Sequence, residues 1–149
     1  MMQSKVLKRS LLKGIAVLLA TPYFKGSWAS SINNDYTQKN LQSLPIKKEG
    51  VTIDLPPLAD TGNSIPMNLL IQAPAQRRIQ SFEIIAPENP NPMVMKITLP
   101  QMQSSYRLST RIRLALSQDV WVIVQLDDGS KIGQSLHCVV TLNACFDAT

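Results

Sequence analysis

Residues that carry chemistry are scarce in this 149-residue chain: there is one histidine, His137, with two cysteines, six glycines and 5% aromatic residues. A lone histidine would leave a Ser/His/Asp site resting on one strand residue and a zinc site short of ligands. The glycines form no phosphate-cradling loop, and the acids form no paired-carboxylate motif. Asp127 and Asp128 are adjacent, but they sit in "DDGS", where solvation and turn chemistry account for them. Long apolar runs are also missing. The run Leu11 to Ala20 is well short of the roughly 20 residues that a membrane helix needs. These absences argue against a self-sufficient enzyme and against a membrane span after processing.

What is present suits one small domain, with 44% hydrophobic and 17% charged residues. A net charge of +5 suggests nucleic acid or an anionic membrane as partner until the charge is located. Lys5, Lys8, Arg9, Lys13 and Lys25 all precede Ala29, with no acid among them. Without them the fifteen basic residues fall to ten, against ten acidic ones, and the nucleic-acid reading disappears. Residues 1–29 have the form of an export signal: a basic start, the apolar run, and "SWAS" with small Ser27 and Ala29 for a signal peptidase. The basic part "LKRSLLK" resembles the twin-arginine (Tat) motif with Lys8 in place of the first Arg, and Sec is the other route. A periplasmic, oxidising location is expected.

Residues 30–50 are polar, with a weak amphipathic piece around Tyr36, Leu41 and Leu44 that predicts a short helix or tether ending at Pro45. From Val51 the pattern becomes period-two alternation broken by Pro, Gly, Asn and Asp, which predicts many short strands. "IPMNLLIQ" puts Ile65, Met67, Leu69 and Ile71 on one face; "PMVMKITL" does the same with Met93, Met95, Ile97 and Leu99. In "SYRLSTRIRLAL", Leu108, Thr110, Ile112 and Leu114 face one way and Arg107, Ser109, Arg111 and Arg113 the other. "DVWVIVQL" is apolar on both faces, as a covered central strand is. Asp128-Gly129 supplies positive φ angles for a hairpin turn, after which "KIGQSLHCVVTL" is the last strand. Seven or so strands predict an all-β, immunoglobulin-like antiparallel sandwich over residues 51–142, followed by an arm, 143–149.

Cys138 and Cys145 remain, and a disulfide is the ordinary state of such a pair in an exported protein. Geometry favours another outcome. On a strand from Leu136 to Leu142, Cys138 shares a face with Val140 and Leu142 and points inward. Cys145 lies past the strand end, about 20 Å along an extended chain, too far to bridge unless the tail folds back. Cys138 is then a buried, inert thiol and Cys145 an exposed one.

"DTGNSIPMNL", "APENPNPMVMKITLP", "LSTRIRLALSQDVWVIVQLDDGS" and the closing "VTLNAC" resemble successive segments of the SoxY family, from about Val51 to Cys145. The resemblance implies an immunoglobulin-like sandwich paired with a SoxZ subunit, ending in a mobile Gly-Gly-Cys-Gly-Gly arm whose cysteine matches Cys145. It implies no cofactor and no catalysis by the carrier. Thiosulfate would be coupled to the Cys145 thiol by a haem-bearing SoxAX protein, its sulfone group removed as sulfate by SoxB, and in some organisms the sulfur left on the thiol oxidised by a sulfane dehydrogenase. The arm itself differs: Asn143, Ala144 and Phe146 flank the cysteine where the family has glycines, and Asp147 adds a charge that disfavours a thiolate. A divergent paralogue that binds a SoxZ-like partner without carrying sulfur is the alternative. Arg111 and Arg113, in "TRIRLA", are candidates for a partner interface or for a solvated face.

Overall fold

The structure, a computed structural model, describes residues 36–145. Residues 1–29, where an export signal is expected, the residues from Ser30 to Asp35, and Phe146 to Thr149 lie outside them. Among the described residues there are eight strands and one short helix. Strands β1 (Val51–Asp54), β3 (Ile65–Gln72) and β6 (Ser105–Ile112) form a three-stranded sheet in the order β1-β3-β6. Strands β2 (Leu58–Thr61), β4 (Ile79–Ile85), β5 (Met93–Gln103), β7 (Gln118–Leu126) and β8 (Lys131–Leu142) form a second sheet in the order β2-β8-β7-β4-β5.

The alternating runs pack as their spacing predicts. Ile65, Met67, Leu69 and Ile71 of β3 are all buried, facing Phe82 and Ile84 of β4 and Val120, Val122 and Val124 of β7 in one core between the sheets. Each large side chain removed from water there contributes about 1.5–3 kcal/mol. Pro100 lies in β5, at the sheet edge, where a missing N–H breaks no ladder. β7 is central and buried on both faces. Its outer face is closed by helix α1 (Gln38–Ser43), whose Leu41 packs with Ile85, Trp121 and Ile123, flanked by Tyr36, Leu44 and Ile46. The amphipathic piece before Pro45 is therefore a lid on the sheet. Trp121 lies under it and donates its indole N–H to Gln38 Oε1 at 3.2 Å.

Three details differ from expectation. First, β2 pairs with β8 in parallel, Leu58 opposite Val139 and Ala59 opposite Val140, while the other strand pairings are antiparallel. The chain leaves the first sheet after β1, passes Pro56 and Pro57, adds β2 to the second sheet, and returns. "LADT" is too short and too exposed to show periodicity, and periodicity does not report direction. Second, Leu142 is 66% exposed although it alternates with buried Cys138 and Val140. The β7 ladder ends at Gln118 opposite Cys138, so β8 beyond it pairs only with β2 and runs off the core. Third, only Gly129 of the Asp128-Gly129 pair has positive φ, at 80°. Gly129 N–H returns to the Leu126 carbonyl at 3.0 Å and Leu126 N–H reaches Ser130 O at 2.9 Å, a turn that places one left-handed residue instead of two. The Ser130 hydroxyl and N–H both bond Asp128, holding its carboxyl below the usual range, with Arg77 assisting at 3.0 Å.

Candidate functional site at the root of the terminal arm

Four segments distant in sequence meet where β8 ends. The turn between β2 and β3 supplies Gly62, whose N–H donates to the Leu142 carbonyl at 2.7 Å and whose carbonyl accepts from Leu114 N–H at 2.9 Å. The Leu114 carbonyl in turn accepts from Ala144 N–H at 3.2 Å. Asn63 completes the set: its Oδ1 accepts the N–H of Cys145 at 3.2 Å. The backbones come so close that a Cβ on Gly62 would lie 2.1 Å from the Leu114 oxygen and 2.8 Å from the Ala144 nitrogen. Only glycine fits there.

The Leu114 shelf is itself held from below. Buried Asn89, in the β4–β5 loop, donates to Arg113 O at 2.8 Å and accepts from Ala115 N–H at 2.8 Å. Buried Gln118 donates to Asn89 Oδ1 at 3.1 Å and to Leu116 O at 3.2 Å, and accepts from Glu88 N–H at 2.8 Å. Ser117 Oγ accepts from Val140 N–H at 2.9 Å and so ties the same connection to β8. The segments "DTGNS", "APENP", "LALSQ" and "VTLNAC" are thus one structure, the root of the arm.

The two thiols are both free and differ completely in environment. Cys138 has no solvent-accessible surface, and burial pushes its pKa up, so it stays a neutral thiol. Cys145 is exposed. The two thiols are not bridged: Cys138 points inward, as strand alternation predicts, and Cys145 is exposed, as its place past the strand end predicts. Asn143 is exposed and Ala144 half-buried, whereas the expectation for Phe146 lies outside the described residues.

Arg107, Arg111 and Arg113 all face solvent, as their alternation predicts. Arg111 Nη1 lies 3.4 Å from the Ser64 carbonyl and 3.3 Å from its hydroxyl, against the turn that holds Cys145. His137 Nδ1 pairs with Asp119 Oδ1 at 2.8 Å on the outer face of the second sheet, and Gln38 donates to the other Asp119 oxygen at 2.6 Å. This couples the histidine to the α1 lid, away from the cysteine's hydrogen bonds. Sequence reasoning did not single out Gly62, Asn63, Asn89 or Gln118. All four lie inside the segments that carry the family resemblance, but one sequence does not reveal that those segments converge.

These features define a class: an immunoglobulin-like β-sandwich whose last strand delivers an exposed thiol to a hydrogen-bonded root. The family model described as "Sulfur oxidation protein SoxY" matches residues 37–145, ending on Cys145, and the chain belongs to that family. Among solved structures it is similar to the sulfur carrier protein SoxY from Chlorobium limicola f thiosulfatophilum, at 26% identity and a TM-score of 0.57, over 67% of this chain and 87% of that one. A candidate superoxide reductase from Thermotoga maritima matches at 11% identity and a TM-score of 0.51, over 64% of this chain and 93% of that one, a likeness of fold alone. No curated protein matches the chain at the level of sequence.

Proposed function

We propose that this chain is a covalent sulfur carrier, holding intermediates of thiosulfate oxidation on Sγ of Cys145 and presenting them to partner enzymes. The observation that carries the reading is the contrast between the thiols: Cys145, the last residue of the family match, is exposed at the strand end, while Cys138 is sealed in the core. The Chlorobium relative is a sulfur carrier by its own description, which supports the same role here.

The chemistry asks little of the protein beyond a thiol and reach. Joining the thiol to thiosulfate forms one S–S bond, releases the thiol proton and passes two electrons to a haem-bearing SoxAX-type enzyme, leaving Cys–S–S–SO3⁻. Water then attacks the sulfone in a SoxB-type hydrolase, releasing sulfate and two protons and leaving the persulfide Cys–S–S⁻ on the carrier. A sulfane dehydrogenase is a further candidate consumer. Both steps depend on sulfur as nucleophile and leaving group, as thiol exchange does. The carrier acts in the periplasm as one half of a heterodimer with a SoxZ-like subunit.

A second reading is favoured by the arm itself: no glycine flanks Cys145, and the amides of Ala144 and Cys145 are bonded to the body. In that reading the chain is a non-carrier interaction subunit. Intact-mass measurement of protein from thiosulfate-grown cells separates the two. A carrier shows sulfur or thiosulfate adducts that disappear in Cys145→Ser. Unmodified thiol throughout, with complex formation and thiosulfate oxidation unchanged in Cys145→Ala, establishes the interaction subunit.

A further inference from the structure

We propose that Asn63 is a positioning residue, a latch that keeps the arm docked on the body by capping the amide of Cys145. The proposal rests on Cys145 being the attachment site, and it concerns how that site is presented. Asn63 is exposed, so its side-chain carbonyl spends a solvent-facing acceptor on the Cys145 N–H at 3.2 Å across 82 residues of sequence.

The turn around Asn63 is shaped to make this contact. Thr61 Oγ1 accepts from Asn63 N–H at 3.3 Å on one side, and the Arg111 guanidinium holds Ser64 at 3.3 Å on the other. Gly62 gives up its side chain so that the Ala144 backbone can lie against it. The hydrogen bonds along the arm are graded. Leu142 is tied at 2.7 Å within the ladder, while Ala144 and Cys145 are tied at 3.2 Å each, the last by a side chain alone. The Cys145 bond is the exposed one of the three, and such a bond opens first. Opening those two frees Cys145, three residues past the Leu142 anchor, to a reach of about 10 Å at roughly 3.3 Å per residue. Two positions for the thiol follow: one fixed at the body surface, and one extended toward a partner's active site. An arm that lacks glycine is stiffer when free, so a side-chain latch on the body controls its presentation.

The test uses the full processed chain and the variants Asn63→Ala and Asn63→Asp, the second of which keeps an acceptor oxygen. Amide hydrogen exchange is measured by NMR at Ala144 and Cys145. Alkylation of Cys145 is timed with N-ethylmaleimide and with a maleimide carried on a 5-kDa (~) polyethylene glycol, which needs an extended arm. In the native chain the Cys145 amide should exchange about tenfold more slowly than in a free tail. Asn63→Ala should abolish that protection and raise the bulky-to-small rate ratio about three- to tenfold, and Asn63→Asp should restore both. A merely structural role for Asn63 would move thermal stability without moving that ratio. An unprotected Cys145 amide in the native chain, or Asn63→Ala indistinguishable from it in both measurements, overturns the latch. Protection without any sulfur adduct on Cys145 refutes the carrier and leaves the latch standing, whereas adducts without protection do the reverse.

Discussion

Cys138 and Cys145 stand seven residues apart and meet opposite environments because β8 loses a neighbour between them. At Cys138 the strand is flanked by β7, and at Leu142 only β2 remains beside it. "LHCVVT" already assigns Cys138 inward by parity, but parity cannot show where the neighbouring strand stops. Parity puts Leu142 inward with Cys138, and the structure buries Cys138 but exposes Leu142. Iodoacetamide on the native protein at pH 8 should label Cys145 alone, and Cys138 should react only after denaturation, as peptide mapping would show. Burial also sets the sign of a pH effect. The Cys138 pKa is raised in the folded state above its ordinary 9.0, so between the two values the folded chain binds more protons than the unfolded one. Stability is then full below pH ~9 and declines as pH rises through that window. Urea titrations at pH 8 and pH 10 should show a decline that is smaller in Cys138→Ala, and an equal decline in both proteins would refute the assignment.

At the scale of elements, the Arg113–Gln118 connection explains why "LALSQ" is recognisable. Asn89 and Gln118 are buried amides whose hydrogen bonds replace the ladder that this stretch lacks, and no buried side-chain polar atom among the described residues lacks a partner. Asn89→Ala leaves the Arg113 carbonyl and the Ala115 N–H unsatisfied, and should cost about 2–4 kcal/mol in chemical denaturation. It should also loosen Ala144, whose acceptor Leu114 sits on that shelf. Helix α1 illustrates the opposite case. Six residues cannot hold a helix in water, and Thr37 caps it only weakly at 3.4 Å, so its stability comes from Leu41 on Trp121 and Ile123. Leu41→Ala should cost about 2–4 kcal/mol and shift Trp121 emission to longer wavelength as the lid lifts. The amphipathic spacing of Tyr36, Leu41 and Leu44 was legible in the sequence. The surface it covers was legible only as the excess apolarity of "DVWVIVQL".

The whole molecule offers a partner two unlike faces. Outside the three-stranded sheet, Asp54, Asn68 and Ser109 join in a chain of hydrogen bonds at 3.0 and 2.8 Å across the three strands, with Arg107, Arg111 and Arg113 facing solvent around it. On that surface Asp54, Asn68 and Ser109 already satisfy one another. On the five-stranded sheet α1 covers Trp121 and Ile123, but the β2 and β8 end is bare: Leu58 and Val139 lie side by side, 58% and 42% exposed. Period-two reading missed this patch because it missed β2, the strand that creates half of it. Interface energy comes mainly from apolar groups that leave water, whereas solvated arginines at a rim add little. If the chain pairs with a SoxZ-like subunit, as proposed above, the β2–β8 end beside the arm root is the face expected to receive it. Val139→Asp should weaken co-purification with that subunit at least roughly tenfold while leaving Cys145 alkylation unchanged. The double change Arg111→Ala and Arg113→Ala should weaken it only about twofold. The reverse ranking in a calorimetric titration would place the partner on the arginine face, where Arg111 lies against the Ser64 turn next to the Asn63 that holds Cys145.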